Sequence, residues 1–353
     1  MAQTSQFMEE EKRILDYLNS FDGSASFPRH TCCNSSRSLY CEECCKLLVP
    51  DAALPDPISL RREKQQFKRS NFCATSCDTQ DERKSPLNLP FNLHIVLDDR
   101  RCSATGLHAV ALLNNGEGED GTANCFGSVK LIDVANGDEI PNYSTGHHTQ
   151  LLDADTISND LIDQSEREFL LFPSPGESVP IESVANQIET LVVLDCKWTK
   201  SSLCRTNANL AKLRKVHLSN SPKQTHYWRW HNAGLGCVST IEAIFYAATE
   251  ISDSKYQHML ATDEVDKYML DQNRVDQSNL IYLLWLFGHQ RAATIEAALK
   301  RGKPAPGSAE GKEAARSLRK QTGEYAWRSE RNKKIGKILK EECRRMKRLA
   351  LEN

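Results

Sequence analysis

The chain has 353 residues, 39% hydrophobic and 26% charged, which suffices for a real core and roughly two domains. No apolar run approaches the ~18 residues of a membrane span, so no membrane partner is expected. The formal charge of −2 conceals an asymmetry, because residues 300–353 hold 17 Lys+Arg against 7 Asp+Glu and follow an acidic body. Such a tail suits a polyanionic partner or nuclear import, placing the protein in the nucleus or cytoplasm with the nucleus favoured.

The acidic, amphipathic start, MAQTSQFMEEEKRILDYL, predicts a helix over 7–19 with Phe7, Ile14, Leu15 and Leu18 on one side. It reads as neither a secretory signal nor an Arg-rich transit peptide. Thirteen cysteines, an odd number, favour reduced thiols and a metal over a disulfide framework. They cluster in RHTCCNSSRSLYCEECC, where His30-x2-Cys33-x7-Cys41-x2-Cys44 makes two close pairs around a short loop. Thiolates and imidazole are preferred ligands of a tetrahedral zinc ion, and four protein ligands make the site structural. Cys32 and Cys45 offer competing frames. The expected organisation is a helix and knuckle over 1–49, then a Pro-, Ser- and charge-rich linker over 50–86.

A strand at 93–97 and a helix at 106–113 open the next domain, followed by the solvated loop 114–124 and a strand at 126–134. Further strands are read at 168–172, 190–194 and 214–218, with helices at 181–188, 197–212 and 240–251. Short apolar strands alternating with helices predict an α/β fold: a mainly parallel sheet with helices on both faces. Ligands of such sheets bind beyond the carboxyl ends of the strands. A long apolar helix over 278–301 ends the domain, which spans 87–302. The break RGKPAPGSAEG then leads into the basic tail 303–353, read as an exposed helix or a disordered arm.

Three turns carry the candidate chemistry. LFPSPGES follows the strand 168–172, and its Ser174, Pro175 and Gly176 suit a tight turn that can approach a ligand or simply reverse the chain. Asp195-Cys196-Lys197-Trp198 follows the run LVVL, where Asp195 either faces a ligand or caps the next helix, and Trp198 either walls a pocket or packs in the core. In YWRWHNAGLGCVSTIEAIFY, Ser239-x-x-Glu242 has the form of a capping box, and the Gly-rich approach to a helix N-terminus also suits an anion. Arg229, Trp230 and His231 beside Tyr227 and Trp228 suit stacking on a base or contacting phosphate, as well as ordinary packing.

In this order the segments resemble the DTW-domain family. The matching pieces are the Cys/His knuckle, LDDRRCSATGLHAVALL with its Thr before a helix, LFPSPG, Asp-x-x-Trp, and WRWHNAGLGCVSTIEAIFY, covering roughly 30–300 and most like the first eukaryotic branch. Lys197 stands where the family has Thr, and His30 where relatives generally have Cys. The resemblance implies a SPOUT-like fold with a C-terminal knot. It also implies a tRNA-uridine aminocarboxypropyltransferase that uses S-adenosyl-L-methionine, modifies N3 of a D-loop-region uridine and releases methylthioadenosine. Asp195 would then act as base or orient N3, with Trp198 as pocket wall. Phe172, Pro173, Ser174 and Gly176 would line the adenosine side, Ser239, Thr240 and the helix N-terminus would grip the cofactor's carboxylate, and Leu194 and Glu242 complete the set expected at the cofactor. Lys197, Arg229, Trp230, His231 and the tail would meet tRNA. The rival readings are an RNA methyltransferase of the same fold and a non-catalytic zinc-containing RNA-binding protein. Oligomeric state stays open.

Overall fold

The computed structural model describes residues 2–25, 27–33, 35–60, 87–113, 127–143, 167–174, 176–197, 202–220, 222, 225–228, 237–261, 276–305, 310, 313 and 317. These divide into two compact units, one of residues 1–226 and 233–292 and the other of 227–232 and 293–353. The loop 114–124, most of the linker and nearly all of the basic tail lie outside the described residues.

The first unit is built on a six-stranded sheet of order β4-β3-β7-β5-β8-β6 in which every neighbouring pair is parallel. Its strands are β3 (Asn92–Asp98), β4 (Val129–Asp133), β5 (Glu168–Leu171), β6 (Ser178–Pro180), β7 (Thr190–Cys196) and β8 (Arg214–His217). A separate antiparallel hairpin joins β1 (His30–Cys32) to β2 (Ser35–Arg37). The central strands are apolar because both faces are covered. Leu191 and Val193 of β7 alternate with Val192 and Leu194, and the latter two pack with Val96, Leu170, Cys204, Leu210 and Leu213. That face meets the short helices α3 (Leu203–Thr206) and α4 (Ala208–Ala211). On the opposite face lie α2 (Gly106–Leu113) and α5 (Thr240–Ala261): a Cβ built on Gly106 would touch Ile95, Asp195 and Thr240.

The strands and the helix at 106–113 form as the apolar runs predict, and the differences have local causes. Strand β7 does not stop at Leu194 but runs through Asp195 and Cys196. The expected helix 197–212 is two one-turn helices, because the Asn207 side chain accepts hydrogen bonds from Asn209 N and Leu210 N and starts a new helix. Residues 181–187 are a 3-10 helix, and the apolar stretch from 278 is a 3-10 turn (Leu280–Leu284) running into α6 (Trp285–Leu299). Strand β6 was not anticipated: three residues ending in Pro180 suit only an edge strand.

Helix α1 (Ala2–Asn19) buries Ile14 and Leu18, and the segment after it packs on the start of α6. Phe21 and Phe27 meet the His289 ring edge-on at 4.6 and 4.9 Å, and Trp285 meets it at 4.6 Å. In the second unit, Tyr227 and Trp228 are in ring contact at 4.9 Å, and Gly302, at φ 64, closes the turn after α6 by donating to Leu299 O. Among the described residues no helix is long and apolar enough to cross a membrane.

A Cβ on Gly288 would overlap the Phe21 ring, so the docking of the N-terminal segment depends on that glycine. Gly288→Ala is expected to lower stability by about 1–3 kcal/mol in a denaturant titration, overpacking outweighing the helix propensity it gains.

Candidate functional site

Asp195 sits near the carboxyl end of β7, opposite Leu97 of β3, and is only 7% exposed. Its Oδ2 accepts a hydrogen bond from Gly106 N at 2.6 Å and its Oδ1 accepts one from Thr240 Oγ1 at 2.8 Å. One carboxylate thereby ties together the first residues of α2 and α5, where unsatisfied N–H groups carry partial positive charge. Thr105, also buried, completes the tie by accepting from Ile241 N at 3.3 Å. Burial nevertheless dominates: it raises the Asp195 carboxyl from 3.8 to about 6 against the lowering effect of those two bonds, and Asp99 adds to the rise. The result is a carboxylate that is ionised at neutral pH yet more basic than an exposed one.

The polar groups beyond it turn inward. Glu242 is 1% exposed and accepts from Ser239 N, Ser239 Oγ, Thr225 Oγ1 and His226 N at 2.5–2.9 Å. It is the far half of the capping box and pins the chain entering α5. Ser239 is committed to that bond and Thr240 to Asp195. Ser174 is buried in the turn after β5, where its Oγ donates to Glu177 and its N–H to Ser178 Oγ, while Gly176 takes φ 78. Pro173 is exposed in that turn. Phe172 and Leu194 pack on the α3–α4 face, opposite the face that Asp195 and Thr240 occupy. The structure thus brings Asp195 and Thr240 into contact and sets Ser239 and Glu242 directly behind them. It puts Phe172 and Leu194 on the other side of the sheet. Lys197 is exposed and lies 3.6 Å from Asp99. Trp198, Arg229, Trp230 and His231 lie outside the described residues.

The metal frame requires a correction. The four ligand atoms that converge, all within 4.8 Å of one another, are the sulfurs of Cys32, Cys33, Cys41 and Cys44; His30 is not among them. His30 pairs with Arg37 at the far end of the hairpin, whereas Cys32 pairs with Ser35 beside the turn, about 6–7 Å nearer the cluster along the strand. Adjacent residues of a strand point to opposite sides, and the left-handed φ of 46 at Cys33 breaks that alternation, bringing its sulfur to 3.9 Å from that of Cys32. Cys45, buried and at φ 55, has its thiol pushed up to about 11 by burial and is not part of the cluster. Four thiolates at ~2.3 Å from one zinc ion would stand ~3.8 Å apart, so the set could hold zinc with little movement. The thiol chemistry agrees: burial raises Cys41, but hydrogen bonds from the N–H groups of Cys44 and Glu43 and the neighbouring thiols together bring it down to about 7, while Cys32 is pushed up to about 12 through its bonds to Cys44 and Cys41. Four neighbouring thiols cannot ionise together without a cation.

Two residues that sequence reasoning did not assign belong to the site. Gly106 must be glycine, because a Cβ there would lie 2.7 Å from Asp195 Oδ2, and Thr105 bridges to α5. The Thr-Gly pair before an apolar helix was the available signal. The family model described as DTW domain matches residues 108–299. The chain belongs to the DTW-domain family. That family is known for tRNA-uridine modification, which fits a transferase role in tRNA modification here. The match begins within α2 and ends at the last residue of α6, so the DTW domain contains Asp195 and Thr240 while the cysteine cluster precedes it. No curated protein and no solved structure matches the chain.

Two outcomes check this description. Cys33→Ser is expected to abolish stoichiometric zinc binding while His30→Ala retains it, read by metal analysis of the purified proteins. The folded state holds the Asp195 proton in a window where the unfolded chain has lost it, so this group's contribution to stability falls as pH rises from about 4 to 6. Relative to Asp195→Asn, wild type should lose on the order of 2–3 kcal/mol across that window in urea titrations.

Proposed function

We propose that the protein is a tRNA-uridine aminocarboxypropyltransferase using S-adenosyl-L-methionine. The observation that carries this reading is the position of the family's signature acid: buried, basic for a carboxylate, and gripped by the amino ends of two helices at the carboxyl edge of a parallel sheet. The SPOUT-like, knotted course of the chain implied by the resemblance belongs to the same proposal, as do tRNA as partner and the nucleus as the favoured location.

The cofactor would supply an electrophilic carbon and a good leaving group. Everything else falls to the chain. Uridine N3–H is a weak acid, and Asp195 would accept its proton as the N3–carbon bond forms, the sulfur–carbon bond breaks and methylthioadenosine leaves. Each Asp195 oxygen accepts one bond from the protein and keeps further acceptor capacity. The bonds from Gly106 and Thr240 hold the carboxylate in one orientation, which is what selection of one sulfonium substituent over the methyl group requires. The α5 N-terminus offers partial positive charge to a carboxylate, and Phe172, directly after β5, packs on the other face of the sheet. Trp198 would wall the pocket, while Lys197, Arg229, Trp230, His231 and the basic tail would meet RNA. Zinc at the cysteine cluster would be structural.

Incubating the protein with unmodified tRNA and S-adenosyl-L-methionine, followed by nucleoside mass spectrometry, should yield aminocarboxypropyluridine with methylthioadenosine. Asp195→Ala should slow the transfer by about 10²–10⁴-fold. Methyluridine with S-adenosylhomocysteine would make the protein a methyltransferase. No product and no heat on titration with S-adenosyl-L-methionine would make it a non-catalytic RNA-binding module.

A further inference from the structure

We propose that Arg101 couples metal occupancy of the cysteine cluster to the geometry of the Asp195 centre, making the cluster a positioning element for the site rather than a detached knuckle. Arg101 is partly buried and spends its guanidinium in two directions. Its Nε donates to Asp133 Oδ2 at 2.8 Å and its Nη2 lies 2.6 Å from the same oxygen, while Nη1 donates to the carbonyls of Glu42 and Glu43 at 2.9 and 2.6 Å. Asp133, at the end of β4, is itself fixed by Asn136 through its N–H and Nδ2, so one end of the clamp is anchored in the sheet.

The other end is the cluster itself. Glu42 and Glu43 are the two residues between Cys41 and Cys44, and the peptide N–H groups of Glu43 and Cys44 point at the Cys41 sulfur. A metal holding Cys41 and Cys44 fixes the N–H side of this turn, which in turn fixes the carbonyl side that Arg101 reads. A planar guanidinium with several fixed donors can bridge a carboxylate and two carbonyls at once; an ammonium group cannot.

Arg101 also opens the short turn Arg101–Ser103, and the chain runs from it directly into Thr105 and Gly106. Those two residues make the bonds to Ile241 and Asp195. Displacing Arg101 therefore shifts the residues that hold the carboxylate, with no freely jointed linker between to absorb the movement. The knuckle has a second, independent attachment. Tyr40, next to Cys41, packs edge-on against His108 at 5.4 Å and hydrogen-bonds Gln290, which also pairs with His108 Nε2. Loss of the Arg101 side chain should thus cut the link to the segment that carries Thr105 and Gly106 without releasing the knuckle, whose remaining contact lies further along α2 at His108.

The positioning role rests on Asp195 being the acid of the proposed reaction, but the test uses neither cofactor nor tRNA and so succeeds or fails separately from that reading. Amide hydrogen exchange of the full chain is compared in zinc-loaded and zinc-stripped forms. In wild type, stripping should speed exchange at Gly106 and Ile241 about tenfold or more, with Leu191–Val193 of β7 still protected. In Arg101→Ala the two amides should exchange fast even with zinc bound and respond less than about twofold to its removal. Arg101→Lys, which keeps the charge beside Asp133 but not the fork, should behave like Arg101→Ala and carries the test should the alanine variant not fold. Wild-type amides indifferent to zinc, a variant that keeps the full response, or uniform loss of protection across β7 would each overturn the proposal.

Discussion

The structure of the site depends on one carboxylate placed where it should not be comfortable. Moving an ion out of water costs several kcal/mol, and Asp195 is almost wholly buried. Two hydrogen bonds to a charged group return about 1.5–3 kcal/mol each, and the helix ends behind them add a fraction more. Burial still wins the balance, which is why the group titrates near 6 rather than below its ordinary value. The acid is held firmly and left unusually basic, a combination suited to taking a proton from a weak acid at neutral pH.

The surrounding fold can be understood as what that placement demands. A parallel sheet brings strand carboxyl ends and helix amino ends to the same edge. Gly106 lets α2 start close enough to donate through its backbone, and Thr240 does the same for α5 through its hydroxyl. Glu242 then stiffens the approach to α5 from beneath, gathering donors from Thr225, His226 and Ser239. The cysteine cluster, outside the matched domain, reaches the same region through Arg101.

Much of the sheet was legible because its strands are short apolar runs, and such runs are informative when both faces are buried. The continuation of β7 through Asp195 was not, since an acid inside a buried strand is unfavourable unless donors arrive from elsewhere. Those donors come from 89 and 45 residues away, distances at which local pattern says nothing. The same holds for Arg101, whose partners lie 32 to 59 residues off. His30 was preferred over Cys32 because His30-x2-Cys33 matches the spacing of Cys41-x2-Cys44, with two residues between paired ligands; the left-handed Cys33, which lets neighbouring cysteines face one point, leaves no mark in spacing. Thr240, read as a cofactor residue, and Asp195, read as the base, were expected to converge because both lie on turns at one edge of a parallel sheet, whereas the opposite-face position of Leu194 follows only from the register of β7.

The central claim is that the acid on β7 receives the proton in the transfer step. Single-turnover rates measured against pH, with both substrates saturating, test it most directly. The account predicts a rate that climbs about tenfold per pH unit below an inflection near 6 and is level above it. A rate independent of pH from 5 to 7, or one that keeps rising into the alkaline range with no break near 6, would contradict it.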